Sequence, residues 1–326
     1  MSRQGKPRKR TSGNIKNFWE TEAKIWGHSP QVTIRDFFFR NHELNTLLSV
    51  IPKVSKLLDV GCGNGFGTLV LSQKAEYTLG LDYSKAMIRW ATKAKNDEAY
   101  RLSKIKKIML DQYLSTNSFD NVNFAVADVS NLDLSQNKFD VITGQRILIN
   151  LPTSGLQMKT LKNLRNYIQS DGLLILVEAT TQGHQITDAY RQKQGLPILE
   201  KYWHNNYIDE NYQKWTTYGW KVTQILSFDT YALLSKIIYP AACGEKNCTF
   251  LSEANQAASE IANIFRTKKA VDEIGTDNLL KIYADRVSRY NSADGKLITK
   301  WITNNKKKLA DWSGLGHQKL IIAKPI

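Results

Sequence analysis

Short apolar runs alternate with amphipathic stretches through the first part of the chain. Residues 54–60 form an apolar run typical of a buried strand, and a helical pattern follows at 66–74. A second run, at 77–81, leads to another helical pattern, for which Ser84 is the predicted N-cap. The order predicts a strand–helix–strand unit of about thirty residues, the usual size of such units.

Three further strand-like runs follow, at 122–127, 139–143 and 173–177. An amphipathic helical pattern at 152–170 precedes the last of them, with a turn predicted at Asp171-Gly172. Strands that alternate with helices form parallel sheets covered on both faces, because crossover connections are almost always right-handed. The fold class we predict is therefore α/β, with a doubly wound and mostly parallel sheet.

The pattern changes after Glu178. A polar, aromatic-rich segment at 180–218 is followed by a strand-like run at 221–228, and the final strand candidate is 319–323. Between these two runs lies a long, mainly helical insertion that starts at Tyr231. No internal repeat and no Gly/Ser-rich linker divides the chain, so we interpret the insertion as a cap on a single domain.

The net charge is high and unevenly distributed. The chain of 326 residues carries +15, and its first ten residues contain no acid but five basic residues, Arg3, Lys6, Arg8, Lys9 and Arg10. The remainder still has 40 basic against 30 acidic residues. We interpret residues 1–13 as a disordered, solubilising leader, in preference to a nucleic-acid-binding arm.

Cysteine usage and hydropathy exclude several classes of protein. The cysteines are only three, Cys62, Cys243 and Cys248, which indicates neither a disulfide framework nor a zinc site. No uninterrupted apolar run of about 18 residues is present, and the first thirty residues lack the apolar stretch of a signal peptide. We therefore expect a cytoplasmic protein with no membrane span and no metal.

The segment from Asp59 to Gly65 carries the most chemical information. Its sequence, Asp-Val-Gly-Cys-Gly-Asn-Gly, follows a predicted strand, and glycines let the backbone turn sharply and approach a ligand closely. A Gly-x-Gly pattern by itself is weak, since dinucleotide-binding enzymes use a related turn. A carboxylate at Asp59 would repel a pyrophosphate and hold an ammonium group, which favours a cationic cofactor.

Carboxylates also end the second and third predicted strands, at Asp82 and Asp128. With the Asp59–Gly65 turn, Gly80-Leu81-Asp82, Ala127-Asp128-Val129 and Phe139-Asp140-Val141-Ile142, the chain resembles the class I S-adenosylmethionine-dependent methyltransferases over roughly residues 53–178. The resemblance implies a Rossmann-like, seven-stranded sheet whose last strand is inserted antiparallel. Relatives usually keep the final hairpin short, so the insertion within it is a departure.

The resemblance also implies roles for the strand-end residues. Gly61, Gly63 and Gly65 would line the methionine end of S-adenosylmethionine, and Asp82 would bind the ribose hydroxyls. Asp128 with Val129 would hold the adenine, and Tyr83 would lie near its ring. The predicted cofactor set is completed by three residues of the first turn and the fourth strand end: Asp59, Cys62 and Gln145.

Candidate catalytic residues lie after the fourth and fifth strands. Arg146 could grip a hydroxylated or anionic acceptor, or it could brace a helix. Glu178 could accept a hydroxyl proton or form a structural ion pair. His184 and His204 lie in the aromatic-rich segment, and histidine is suited to deprotonate a hydroxyl near neutral pH, although a lone histidine is more often structural.

These observations favour a methyltransferase for a small molecule, a glycan or a natural product, acting on a hydroxyl or an amine with oxygen slightly favoured. The Asn/Asp-Pro-Pro-Tyr/Phe tetrapeptide of base-modifying methylases is absent from the fourth-strand turn. RNA or protein methylation remains open because of the basic leader and the lysines of 93–107, and a non-catalytic cofactor-binding scaffold is the third alternative. The predicted organisation is a tail (1–13), an N-terminal helical lid (14–52), a core (53–230) with an acceptor-side segment (180–218), a helical cap (231–312) and the last strand (313–326).

Overall fold

A computed structural model describes residues 9–103, 118–135, 137–266, 268–305, 309 and 312–326. Most of the predicted basic tail, residues 1–8, lies outside these residues, and so does the end of the lysine-rich stretch 93–107, from residue 104 onward. Within the described residues, the first helix begins at Ser12, where the Thr11 side chain accepts a hydrogen bond from Asn14 N. The helix therefore starts inside the segment predicted as tail.

The centre of the fold is a seven-stranded sheet with the order β3-β2-β1-β4-β5-β7-β6. Strands β1 to β5 are parallel, and β7 runs antiparallel to both of its neighbours, β5 and β6. The predicted sheet and its antiparallel last strand are confirmed. The strands are β1 Val54–Val60, β2 Ala75–Asp82, β3 Val122–Val126, β4 Phe139–Gln145, β5 Ile168–Ala179, β6 Trp220–Ser227 and β7 Gln318–Pro325.

Helices cover both faces of the sheet, and several begin at residues that cap their first amides. Ser84 accepts from Met87 N, Thr153 from Leu156 N and Thr180 from Gly183 N. The helices before β6 are α1 Ser12–Trp26, α2 Phe37–Val50, α3 Phe66–Leu71, α4 Lys85–Asn96, α5 Glu98–Ser103, α6 Ser154–Leu164 and α7 Thr181–Lys193.

The predicted insertion between the last two strands is present and helical. It contains α8 Asp229–Ala232, a π-helix Leu233–Ile238, α9 Tyr239–Cys243, α10 Glu253–Ile264, α11 Lys268–Ile274, α12 Thr276–Tyr290 and α13 Ser292–Asn305. Helix α10 packs against α2, and buried side chains of the insertion, α2 and β1 share one hydrophobic cluster. The insertion is thus bound to the N-terminal helices as well as to the sheet.

The boundary between the helix predicted over 152–170 and the strand after it also differs from the sequence prediction. The helix expected over 152–170 ends at Leu164, and β5 already begins at Ile168. Ile168 is buried and pairs with Phe139, and the register shifts before Val141. An apolar residue at helical spacing fits a strand equally well, so periodicity did not distinguish the two. Among the described residues, no helix is long and apolar enough to cross a membrane.

Candidate active site

A cavity of about 450 Å³ lies at the carboxyl ends of the parallel strands. Its inner end is lined by the turn after β1 and the end of β2, and its middle by the turn after β4. The outer end is lined by residues of the 199–207 segment, the insertion and the start of β7. Ligands of open α/β sheets bind at this edge, so the cavity is the candidate active site.

The glycine turn forms the inner wall. Gly61 and Gly63 have φ values of 70° and 55°, a region that favours glycine. A Cβ on Gly61 would lie 2.6 Å from Ile147 Cδ1, and one on Gly63 would lie 3.1 Å from Thr33 Cγ2. Any larger side chain would therefore intrude on residues that line the same cavity. Cys62 is buried, and its N donates to Leu81 O at 2.9 Å, which fixes the turn beside β2.

Gly65 differs in structural role from Gly61 and Gly63. Its φ is 77°, and a Cβ there would lie 2.7 Å from Ala91 Cβ and 2.8 Å from Phe124 Cζ. Gly65 does not line the cavity. It allows the turn to pack closely against α4 and β3, which is a structural role rather than the ligand contact predicted for it.

Asp82 lies at the end of β2 and faces the cavity. Its Oδ2 accepts from Gly63 N at 3.0 Å, and its Oδ1 accepts from Ser84 N at 2.8 Å. Burial raises the pKa of this carboxyl to about 6, although both backbone donors favour its charged form. Each carboxylate oxygen keeps a further lone pair, so the side chain can accept two hydroxyl donors from a ligand.

Asp59 faces the protein interior. Its carboxylate accepts from Thr68 Oγ1 at 2.6 Å, from Thr143 Oγ1 at 3.0 Å and from Gln145 Nε2 at 3.3 Å. It is buried and does not line the cavity, whereas Gln145 does. The geometry therefore favours a positioning role for Asp59, through Gln145, and its direct contact with the cofactor stays a prediction.

A buried charge network, which sequence reasoning missed, supports the middle of the cavity. Glu43 on α2 accepts from Arg40 Nη1 at 2.6 Å and from Arg146 Nη1, and Arg40 Nη1 also donates to Gln145 Oε1 at 3.1 Å. Burial opposes the charge of Glu43, but Arg146 and Arg40 outweigh it and lower the pKa of its carboxyl. No local pattern marks this network, because Arg40 and Glu43 reach the cavity through Gln145 and Arg146, about a hundred residues away in the chain.

Arg146 is held in an unusual backbone conformation. Its φ is 59°, a region that non-glycine residues rarely adopt and that costs on the order of 1–3 kcal/mol. Its N donates to Val177 O at 2.7 Å, and its side chain pairs with Glu43 while lining the cavity. Arg146 therefore braces the turn after β4 and lines the cavity, and its contact with an acceptor stays a prediction.

Glu178 does not reach the cavity. Its two carboxylate oxygens accept from Leu148 N at 2.8 Å and from Ile149 N at 3.1 Å, and the side chain is fully buried. It therefore caps the short turn after β4, a position that does not favour the role of proton acceptor, which stays a prediction. Burial raises the pKa of this carboxyl to about 8, even though both amides favour the charged form.

This raised pKa predicts a pH dependence of stability. Because the folded pKa of about 8 exceeds the ordinary value of 4.5, the charged form is penalised in the fold, and the free energy of unfolding falls as the pH rises between these values. Residue 178 cannot titrate in the Glu178→Gln variant. We therefore expect the free energy of unfolding of this variant to fall less steeply with pH than that of the wild type. Urea unfolding of both proteins across that range measures it, and parallel curves would contradict the prediction.

The histidines divide into two positions. His204 lines the cavity, where its ring stacks on Phe18 at 4.4 Å between centroids. Burial lowers the pKa of His204 to about 4, and its buried Nδ1 has no hydrogen-bond partner among the described residues. His184 does not line the cavity, since it lies edge-on behind Tyr207 and pairs with Asp188 at 3.3 Å. The candidacy of His184 as a base is thus not supported by its position.

The cavity contains a further histidine, His317, which sequence reasoning missed. It precedes β7 directly, and its ring lies nearly parallel to that of Tyr207, 5.9 Å away. Burial, with the positive charges of Lys236, Lys319 and Arg146, lowers the pKa of His317 to about 3. Only the antiparallel insertion of β7 beside β5 brings this residue to the cavity, so no local signal could have marked it.

The third strand end lies at the side of the cavity. Asp128 is exposed and accepts from Ser130 N at 2.9 Å, while Val129 is buried in the hydrophobic core. Ala127 N donates to Asp82 O at 3.0 Å, so Asp128 follows directly beside the end of β2. Tyr83 lines the cavity, whereas Asp128 and Val129 do not. Their predicted adenine contacts stay predictions.

Helix α1 covers the inner end of the cavity. Trp19 Nε1 donates to Asn150 Oδ1 at 3.0 Å, and Glu20 accepts from Lys85 N at 2.9 Å at the start of α4. The chain after α1 is attached to the glycine turn, because Asn64 Nδ2 donates to Gly27 O and Ser29 O at 2.8 and 2.9 Å. Phe18, Trp19 and the residues after α1 thus border the site, in the place expected of a lid.

The described residues include no group of three or more His, Cys, Asp or Glu side chains that could hold a metal ion. The three cysteines are free thiols. Burial, with the negative charges of Asp82 and Asp59, raises the pKa of the Cys62 thiol well above its ordinary value.

Comparison with known proteins identifies one family. Residues 52–228 match a family model described as a methyltransferase domain, Methyltransf_31. No curated protein matches the chain significantly in sequence. The match spans more than half of the chain, including every strand except β7.

Three of the solved structures that match the chain have the following identities and coverages. A methyltransferase in complex with the Trm112 methyltransferase activator of Haloferax volcanii is 12% identical, with 94% of this chain and 97% of that chain covered and a TM-score of 0.46. The [4+2]-cyclase SpnF is 14% identical, with coverages of 88% and 80% and a TM-score of 0.43. The N-methyltransferase NodS from Bradyrhizobium japonicum WM9, in complex with S-adenosylhomocysteine, is 16% identical, with coverages of 65% and 89% and a TM-score of 0.40.

Proposed function

Because the chain belongs to the class I S-adenosylmethionine-dependent methyltransferase family, we propose that it transfers a methyl group to a small molecule held in the cavity described above. The acceptor we favour is a glycan or natural-product hydroxyl, with an amine as the second choice. The observation that carries this proposal is that one cavity extends from the glycine turn and Asp82 to His204 and the aromatic side chains beside it. A cytoplasmic location stays a prediction of the sequence.

The inner end of the cavity has the chemistry that S-adenosylmethionine requires. Gly61 and Gly63 present bare backbone to the cavity, and buried Asp82 offers two acceptor oxygens for ribose hydroxyls. Gln145, placed by Asp59 and Arg40, is available to the methionine end. The bound cofactor would supply an activated methyl group, which a nucleophile takes by in-line displacement at carbon.

The remaining residues of the cavity would bind and orient the acceptor. Asn150, Arg146 and Tyr207 offer hydrogen-bonding groups, while Trp19 and Tyr202 provide rings that can stack on a sugar or another planar group. Alignment of the nucleophile with the methyl carbon is the main requirement of such a reaction. Helix α1, bound to the turn after β4 through Trp19, would exclude water from it.

A hydroxyl acceptor also needs a proton acceptor, and we propose His204 for this role. Burial lowers its pKa to about 4, which keeps the imidazole neutral at neutral pH but also makes it a weaker base. The proposal therefore rests on its position in the cavity and on its Nδ1, which has no hydrogen-bond partner among the described residues. Its ring is held between Phe18 and Tyr202, with centroid distances of 4.4 and 5.7 Å. An amine that binds unprotonated would not need this base.

Replacing His204 by Asn separates these two possibilities. For a hydroxyl acceptor, we expect kcat to fall by about 10²- to 10⁴-fold, which is the usual contribution of a general base. The measurement is transfer of a labelled methyl group to a library of sugars, nucleotide sugars and hydroxylated natural products. His184→Asn is the matched control, since that ring lies outside the cavity. Equal loss in both variants would contradict the assignment.

Two alternative functions are tested in the same assay. RNA or protein methylation, suggested by the basic leader, predicts that removal of residues 1–13 lowers labelling of such acceptors. A non-catalytic scaffold predicts tight binding of S-adenosylhomocysteine with no labelled product from any acceptor class. Labelled small molecules from the full-length protein, with turnover unchanged by the truncation, would support our proposal over both.

A further inference from the structure

Four large apolar side chains are exposed around the outer end of the cavity. Ile198, Tyr202, Phe250 and Leu251 have exposed fractions of 59%, 53%, 47% and 58%. Tyr202 and Phe250 line the cavity, and the other two adjoin lining residues in the chain, Ile198 next to Leu199 and Leu251 next to Phe250. We call these four residues the apolar rim.

A single buried arginine holds the two halves of the rim together. Arg191 Nε donates to Pro197 O at 2.7 Å, and its Nη2 lies 2.8 Å from Glu245 Oε2. Its Nη1 donates to the carbonyl of Lys236, whose own ammonium lies 5.3 Å from the centre of the Phe250 ring. The segments that carry Ile198 and Phe250 therefore meet at one guanidinium, which is 99% buried in the protein.

Single exposed apolar residues are ordinary, whereas a group of them around an opening indicates an interaction surface. The segment that carries Ile198 and Tyr202 is anchored in the fold. Leu199 N donates to Asp188 Oδ1 at 2.8 Å, and the Tyr202 ring stacks on the His204 ring, with 5.7 Å between their centroids. The exposure of these side chains is therefore built into the fold. Leaving aliphatic groups in water at a fixed position has a free-energy cost that a partner would relieve.

The charges near the rim are mainly positive. Lys193, Lys201 and Lys246 are exposed on the segments that carry or adjoin it, and Arg10 Nη1 donates to Asn205 O at 2.7 Å. Arg10 thus adds a positive charge near Tyr202, whose carbonyl accepts from Asn205 N at 3.0 Å. The acids of these segments are Glu200, Glu245 and Glu253, of which Glu245 pairs with Arg191, so the four basic residues outnumber the two remaining acids. A partner that is apolar and anionic at once fits this combination.

We propose that the apolar rim docks on an anionic lipid surface, and that the acceptor is an amphipathic molecule which enters the cavity from that surface. The second statement rests on the proposed methyl transfer, whereas the first does not. Aliphatic side chains can insert below lipid headgroups while nearby lysines contact the anionic layer, and these two contributions add. A nucleic acid would use the lysines but would leave Ile198 and Leu251 without a partner.

The test is co-sedimentation of the full chain with vesicles of phosphatidylcholine alone and of equimolar phosphatidylcholine and phosphatidylglycerol. We expect retention on the anionic vesicles only, and a partition coefficient about tenfold lower for Ile198→Ser/Leu251→Ser, from the loss of two half-exposed aliphatic groups. Neither residue lines the cavity. The control is Ile264→Ser/Leu297→Ser, with exposed fractions of 62% and 46% in the insertion, which we expect to bind as the wild type does.

Calorimetric binding of S-adenosylhomocysteine to the same preparations separates this proposal from the proposed function. Both double variants are expected to keep wild-type affinity, which also shows that they are folded. Equal partition of the two double variants, or no retention of the wild type on anionic vesicles, would overturn the docking proposal. Retention of the wild type on single-stranded RNA instead would assign the basic charge to nucleic acid. Vesicle binding without S-adenosylhomocysteine binding would leave the docking intact and refute the methyltransferase function.

Discussion

Replacing Asp82 by Asn is expected to weaken the binding of S-adenosylhomocysteine about a hundredfold. Two ribose hydroxyls would lose a charged acceptor, and hydrogen bonds to charged groups contribute about 1.5–3 kcal/mol each. The amide also has only one acceptor oxygen, whereas Gly63 N and Ser84 N both donate to the carboxylate. Isothermal titration calorimetry measures the change directly.

The same carboxyl makes the affinity of the wild type pH-dependent. Burial raises the pKa of Asp82 to about 6. The population of the charged carboxylate, which accepts hydrogen bonds from hydroxyl groups, therefore increases as the pH rises through that value. Affinity for S-adenosylhomocysteine should therefore increase over this range in the wild type and stay flat in Asp82→Asn. The control is Asp133→Asn, an exposed aspartate that does not line the cavity. Unchanged affinity in Asp82→Asn, with intact folding, would remove the ribose site from the proposal.

Replacing Glu43 by Ala is expected to lower the free energy of unfolding by about 3–5 kcal/mol, the usual cost of leaving buried charges unpaired. Both Arg40 and Arg146 depend on this carboxylate, and all three side chains are at least nine-tenths buried. Release of Arg146 would also loosen the turn after β4, where Arg146 is held at a φ of 59°. Urea unfolding measures the change as a lower midpoint with an unchanged slope.

Glu260→Ala provides the comparison for this prediction. Glu260 pairs with Arg286 at 2.7 Å, but the Arg286 side chain is 34% exposed, so water can replace the lost partner. Solvent-exposed ion pairs contribute about 1 kcal/mol or less to the free energy of unfolding. A loss in Glu43→Ala no larger than that in Glu260→Ala would show that the buried network does not support the fold in the way described.

Local sequence patterns were sufficient to predict the sheet and to place the glycine turn and Asp82 next to each other. Alternating strands and helices, with the glycines after β1, predicted the parallel strands, because periodicity and turn chemistry are properties of neighbouring residues. The ends of β1 and β2 then lie side by side, since Asp59 pairs with Gly80 in register. Asp82 and the glycine turn could be placed in one site for that reason. The helix end at Leu164 was missed because Ile168 fits both periods.

What the sequence determined by itself is therefore the fold class, the family and the neighbouring positions of the glycine turn and Asp82, all of which depend on short-range order. The tertiary structure decided which carboxylates line the cavity: Asp59 and Glu178 end strands as Asp82 does, yet their oxygens accept hydrogen bonds from Thr68 and Thr143 and from the amides of a turn. It also brought Glu43 and His317 to the site from distant segments. Side-chain direction and long-range contacts are set by packing, so no local pattern could have indicated them.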